Sequence, residues 1–243
     1  MPSYVCPLCL YKSDRQLEGD KCPGCREPTR TRSLAPLLAG ELKPLLDKPP
    51  LAGGRLLAFS MVTAERRLLQ PLFPDIVSVS LFGSYGPADR HQQGVDIRDL
   101  SRYPPASFAA VFGIQIFDYF LEMRRAMDEA YRVLMPGGLL FTMLSPDRLT
   151  DDWTPPRVDE EIEADRRYFE YLPPGTRLVS ATVGWRWFVD QLGRAGFGAR
   201  HVVVPDTLTA LFSDWFIAGK PLDGTPAPKR SFLLKPIPRP ARG

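Results

Sequence analysis

Cys6, Cys9, Cys22 and Cys25 stand as two C-x2-C pairs, Cys6-Pro7-Leu8-Cys9 and Cys22-Pro23-Gly24-Cys25, with 12 residues between them. Two residues between cysteines suit a tight turn whose thiolates converge on one tetrahedral ion. The gap accommodates a short β-hairpin that brings the second turn round to face the first. A disulfide pair, an iron–sulfur centre and a redox pair are the alternatives; the paired spacing favours zinc in a closed, structural site. Gly24 is expected to support the second turn. The rest of the 243-residue chain has no cysteine, and such clustering argues for metal over disulfides. A ribbon this small buries little core, so its zinc-binding energy is its folding energy. Arg26, Arg30 and Arg32 follow and are suited to meeting phosphate. With Glu18, Asp20 and Glu27 beside them, a solvated face of mixed charge is the favoured reading.

The elements that position this cluster are legible from composition and periodicity. Hydrophobic residues at 44% and charged residues at 24% suit a globular protein with one large domain and a small appendage. The net charge of +3 and pI near 8.7 permit an acidic partner without implying one. No apolar run approaches the roughly 20 residues that span a bilayer, and Met1–Val5 lacks the apolar core of a secretory signal. The expectation is a soluble cytoplasmic protein with no membrane contact.

The chain divides into a zinc ribbon (1–32), a helical linker (33–54), an α/β domain (55–235) and an extended, proline-rich tail (236–243). Leucines at 34, 37, 38, 42, 45 and 46 set the helix, with Pro36 in its first turn. Strands are predicted at Arg55–Phe59, Ile76–Leu81, Gly94–Ile97, Ala109–Ile114, Leu139–Leu144, Ala199–Val204 and Ser231–Leu234. Helices are predicted at Ala64–Leu72, capped by Thr63, at Glu122–Leu134, and around Trp185–Leu192, ended by Gly196. This alternation implies a doubly wound, mostly parallel sheet with helices on both faces. The acidic, proline-rich stretch Asp151–Glu170, with Trp153, Tyr168 and Phe169, reads equally as a lid or as a solvated surface helix.

Arg132-Val133-Leu134-Met135-Pro136-Gly137-Gly138, ahead of an apolar strand, resembles the signature before the fifth strand of class I S-adenosylmethionine-dependent methyltransferases. Leu192-Gly193-Arg194-Ala195-Gly196-Phe197 is similar to that family's L-x-x-A-G-F before its sixth strand. The resemblance covers roughly residues 55 to 204 and implies a Rossmann-like fold. It departs at the first loop, Phe59-Ser60-Met61-Val62-Thr63-Ala64-Glu65, which has no glycine where the family has a glycine-rich turn. A branch that carries an N-terminal zinc ribbon has a first loop resembling L-H-F-A-P-E, and Leu57-Ala58-Phe59-Ser60 is similar to it. The second strand ends in Ser80 where the family places an acid.

The resemblance implies a cofactor site across the carboxyl ends of the first three strands. Phe59, Ser60 and Met61 would border the methionine part of S-adenosylmethionine, Ser80 the ribose, and Asp96 with Ile97 the adenine. Gln115 and Phe117 would stand beside the sulfonium. Asp118, Tyr119 and His91 are the candidate catalytic bases, each with a plainer role: Tyr119 as wall or core, His91 in an exposed loop, and Asp118 as cap of the helix near Glu122.

The expected function is methyl transfer to a small-molecule or glycan acceptor, with zinc structural. Two readings compete: a non-catalytic scaffold that binds a partner through the ribbon, and an RNA methyltransferase. Against the latter, the basic residues are scattered, and the one excess is six Lys or Arg against one acid in residues 220–243.

Overall fold

The computed structural model describes residues 4–47, 49, 51–81, 91–161, 179–223 and 225. The chain opens on an antiparallel pair, β1 (Tyr4–Val5) and β2 (Lys12–Ser13). A helical run follows: α1 (Thr29–Arg32), α2 (Leu34–Leu37), a π-helical turn at Leu38–Leu42, and α3 (Lys43–Leu46). The π turn lies just ahead of Pro44, which has no N–H to return to the preceding turn; a widened helix absorbs that loss. Leu34, Leu37, Leu38, Leu42 and Leu46 are buried and pack with Phe112, Phe141 and Trp215. The run is therefore a layer on a sheet.

Beyond it come β3 (Arg55–Phe59), α4 (Thr63–Leu69), β4 (Asp75–Val79), β5 (His91–Gln92), β6 (Phe108–Ile114), α5 (Met123–Val133) and β7 (Leu134–Met143). Then follow β8 (Leu149–Thr150), β9 (Arg157–Glu161), β10 (Val179–Gly184), α6 (Trp185–Arg194), β11 (Gly198–Pro205) and β12 (Phe212–Gly219). A seven-stranded sheet runs in the order β11-β12-β7-β6-β3-β4-β5. From β5 to β7 every pair is parallel, whereas β12 is antiparallel to both its neighbours. Strands such as β3 and β6 are apolar almost throughout because both faces are covered. α5 and α6 close one face around Leu57, Val111 and Phe188; the leucine run and α4 close the other. The doubly wound, mostly parallel sheet is as expected.

Several local expectations change. The third strand lies at His91–Gln92 and not at Gly94–Ile97, because Gly94 takes φ +68 and turns the chain away from the sheet. The fifth strand starts at Leu134. Met135–Gly138 bulges between the pairs Phe108–Leu134 and Ala110–Leu139. Gly137 takes φ +78 there, and a Cβ on Gly138 would meet the Met135 carbonyl oxygen at 2.8 Å. Lys220 closes the end of α5, its Nζ donating to the Tyr131 and Leu134 carbonyls at 2.9 and 2.7 Å. β11 finds its partner in β12, which the sequence reading missed; the strand expected at Ser231–Leu234 and the tail lie outside the described residues. Thr63 does not cap α4: the Glu65 carboxylate accepts the Val62 N–H at 3.1 Å instead. In the acidic stretch, Arg157–Glu161 is an edge strand against β10 and Trp153 is exposed; Tyr168 and Phe169 fall outside the described residues. Among those residues, no helix is long and apolar enough to cross a membrane.

Candidate functional site

Both cysteine turns are built alike. Cys6 donates its N–H to the Tyr11 carbonyl and accepts from Leu10; Cys22 donates to Glu27 and accepts from Arg26. The left-handed residues of these turns are Leu10 (φ 61) and Arg26 (φ 65). Gly24 has another role: a Cβ there would lie 3.0 Å from Cys9 Sγ. The four sulfurs lie within 4.8 Å of one another, with Cys6–Cys25 at 3.8 Å and Cys9–Cys22 at 3.6 Å. A tetrahedral ion bound by sulfur at about 2.3 Å sets its ligands about 3.8 Å apart, so the set fits zinc. Burial pushes the Cys6 thiol up to about 12, and a cation is what draws a thiolate from such a group.

The tip of the β11–β12 hairpin reaches into this ribbon. Leu208 packs with Cys6 and Cys22, the Leu17 N–H donates to the Leu208 carbonyl at 3.1 Å, and Thr207 Oγ1 donates to the Val5 carbonyl at 2.6 Å. Arg32 is not on a solvated face. It is fully buried and ion-paired with buried Asp206; its Nη1 donates to the Asp20 carbonyl at 2.7 Å and its Nη2 to Thr29 Oγ1 at 3.0 Å. Thr209 Oγ1 donates to Asp206 Oδ2 at 2.6 Å. Trp215 Nε1 donates to Ser33 Oγ at 2.9 Å, which ties the sheet to the ribbon's exit.

Ser60, Ser80 and Gln115 follow the carboxyl ends of β3, β4 and β6. Ser60 ends β3 in the left-handed region at φ 49, with its N–H on the Val79 carbonyl at 2.8 Å. Gln115 ends β6 likewise at φ 55. Non-glycine residues held there cost of order 1–3 kcal/mol and concentrate at functional sites. Phe59 and Met61 are buried in the cores on opposite faces. Ser80 is buried, and its Oγ lies 2.7 Å from His91 Nε2, while His91 Nδ1 lies 3.0 Å from Ser78 Oγ. His91 is thus a half-buried strand residue between two serines, not part of an exposed loop. Asp96 binds Arg98 through both carboxylate oxygens, at 3.1 Å from Nε to Oδ1 and 2.7 Å from Nη2 to Oδ2. Ile97 is buried beside it. Phe117 lies in the core, edge-on to Phe188 at 5.2 Å.

A cleft of about 690 Å³ opens where Gln115 meets the ribbon side of the molecule. Asp118, Tyr119 and Arg148 line it from the ends of β6 and β7; Arg30, Phe212 and Ser213 line it from α1 and the hairpin. Asp118 is 1% exposed. It does not cap α5: its Oδ2 accepts the Ser145 N–H at 2.9 Å, and its Oδ1 has no partner among the described residues. Burial pushes its carboxyl up to about 7, against the smaller opposing pull of the Ser145 N–H and of Arg148. The Arg148 guanidinium stands 5.6 Å over the Tyr119 ring. Of the three candidate bases, Asp118 and Tyr119 face this cleft; His91 is not among its lining residues.

Two buried polar groups, one of them in the cleft, escaped sequence reading. Glu65 is buried on α4, accepts from Thr31 Oγ1 at 3.3 Å, and is raised to about 7 by burial; its place in the loop after β3 was visible, but not its burial. Ser213 sits in the strand that was missed.

The methyltransferase-domain family matches residues 85–142. No curated protein matches the sequence. Among solved structures, the cyclase SpnF aligns with a TM-score of 0.51 at 16% identity, over 85% of this chain and 87% of that one. The Burkholderia thailandensis 1,6-didemethyltoxoflavin-N1-methyltransferase, with 1,6-didemethyltoxoflavin and S-adenosylhomocysteine bound, aligns at 0.50 and 13% identity, over 79% and 78%. At such identities the likeness is one of fold: the sheet is the Rossmann-like sheet of class I methyltransferases.

Proposed function

We propose that this class I methyltransferase-like chain transfers a methyl group from S-adenosylmethionine to a small-molecule acceptor held in the cleft beside Asp118. The observation that carries the reading is Asp118 itself: a buried carboxyl in the cleft, one oxygen without a partner among the described residues, and raised to about 7. A base with that value accepts a proton from an acceptor near neutral pH. The fold alone would not decide this, since one aligned structure is a cyclase.

The residues at the strand ends suit the cofactor. The left-handed turn at Ser60 bends the backbone sharply at the end of β3 without glycine, the Ser80–His91 pair would offer the ribose a hydrogen-bonding edge, and Asp96 with Ile97 would border the adenine. When bound, S-adenosylmethionine supplies an electrophilic methyl group for in-line displacement. The protein's part is to align the acceptor, keep water out, and hold the acceptor's proton on Asp118 Oδ1. Arg148, paired with Tyr119, limits the rise of the Asp118 carboxyl and keeps it ionisable.

Calorimetric titration with S-adenosylmethionine and S-adenosylhomocysteine tests the cofactor. Micromolar binding is expected, weakened about tenfold or more by Asp96→Ala, as loss of a charge-assisted contact implies. No heat with either ligand would sink the reading.

The ribbon, in this account, holds one zinc ion through Cys6, Cys9, Cys22 and Cys25. Metal analysis of purified protein should give one zinc per chain, and Cys22→Ser should lose most of it together with the ribbon's amide protection. A metal-free chain with a protected ribbon would contradict this assignment.

A further inference from the structure

The cleft contains a second buried polar group with nothing to bind. Ser213, 1% exposed at the start of β12, lines the same cleft as Asp118, and its Oγ has no hydrogen-bond partner among the described residues. An unsatisfied buried hydroxyl and an unsatisfied buried carboxylate oxygen each carry a desolvation cost. Two of them lining one cleft, contributed by elements far apart in sequence, are arranged for a ligand and not for stability.

Their chemistry restricts that ligand. An ionised carboxylate only accepts, so it calls for a donor; a serine hydroxyl both donates and accepts. A hydroxyl or primary amine on the acceptor satisfies both, donating to Asp118 Oδ1 and accepting from Ser213 Oγ. A thiol bonds weakly to either and a carbon nucleophile to neither. Met143, Leu211 and Phe212 give this cleft apolar surface, Arg30 and Arg148 give it charged surface, and the volume falls in the range of small-molecule sites.

We propose that Ser213 is a substrate-recognising residue, and that the cleft selects a small molecule bearing a hydroxyl or amine at the point of reaction. This rests on the methyl-transfer reading for its chemistry, but the binding preference stands without turnover. It also gives the ribbon a place in recognition: the hairpin that presents Ser213 is fastened to the ribbon by Asp206 and Leu208.

The test uses the full zinc-loaded chain and ligand-observed NMR on an equimolar mixture of phenol, aniline and toluene. The unsubstituted chain should hold phenol and aniline about fivefold or more tighter than toluene, in keeping with a net hydrogen-bond contribution. Ser213→Ala should bring phenol and aniline toward parity with toluene, whose own binding stays unchanged and reports an intact cleft. Ser213→Ala should also raise the Tm by about 2–4 °C, as removal of an unsatisfied group in a chain of this size implies. Equal binding of the three probes by the unsubstituted chain, or a preference that survives Ser213→Ala, would overturn the proposal. Absence of S-adenosylhomocysteine binding with the phenol preference intact would instead remove the methyl-transfer reading alone.

Discussion

Asp118→Asn is expected to cost about 10²–10⁴ in methyl transfer, the range for loss of a positioned general base, while making the folded chain more stable at alkaline pH. The carboxyl is raised from 3.8 to about 7, chiefly by burial. Between those two values the folded chain keeps a proton that the unfolded chain has released, so stability is full below about pH 4 and is lost as pH rises through about 7. At the upper limit the loss reaches roughly 4 kcal/mol above pH 8. Asn carries no charge at any of these pH values and still accepts the Ser145 N–H. Urea unfolding at pH 5 and pH 8.5, with S-adenosylhomocysteine release measured on a panel of phenols and amines, reads both effects. A midpoint shift of equal size at the two pH values, or activity within a few-fold of the unsubstituted chain, would count against Asp118 as the base. Glu65, raised to about 7 by the same cause, adds a pH dependence of the same sign that Asp118→Asn leaves in place.

The second large effect is expected at Arg32. Removing one partner of a buried ion pair costs about 3–5 kcal/mol, because the other charge stays buried without compensation. Arg32→Ala also strips donors from the Asp20 and Glu27 carbonyls. Since the pair joins ribbon to hairpin, the loss should appear as local opening: zinc taken by a chromophoric chelator about 10²–10³-fold faster, and faster amide exchange over residues 4–32 and 205–212. Arg32→Met combined with Asp206→Leu should recover most of the protection, as apolar replacement of a buried pair often does. Unchanged zinc release in Arg32→Ala would show that the ribbon stands without the pair.

Much of the fold was written in local pattern. Arg55–Phe59 is read as the buried strand it forms, and the leucine run gives its helix because one face is apolar at every turn. The cysteine turns were legible because C-x2-C admits few geometries. What escaped depended on partners distant in the chain. Phe212–Gly219 carries Ser213 and Asp214 among its apolar residues, and nothing local says that both are buried between strands. Arg32 looks like any arginine beside acids until Asp206, 174 positions away, is brought to it. Asp118 shows a similar limit: its place in the loop after β6 could be read, but its elevated proton affinity comes from tertiary burial.

The hairpin tip seated in the ribbon also bears on how the molecule is made. A chain emerging from the ribosome presents the cysteine turns well before the hairpin that completes their core. Asp206, which neutralises Arg32, lies 174 positions further along the chain, with Leu208 and Thr209, which complete the ribbon's core, just beyond it. At about 5–20 residues per second, the ribbon waits on the order of ten seconds with a charged side chain it cannot yet bury. Its docking waits on a partner 174 positions away in the chain. A chain cut short before Asp206 would lose that clasp together with β12.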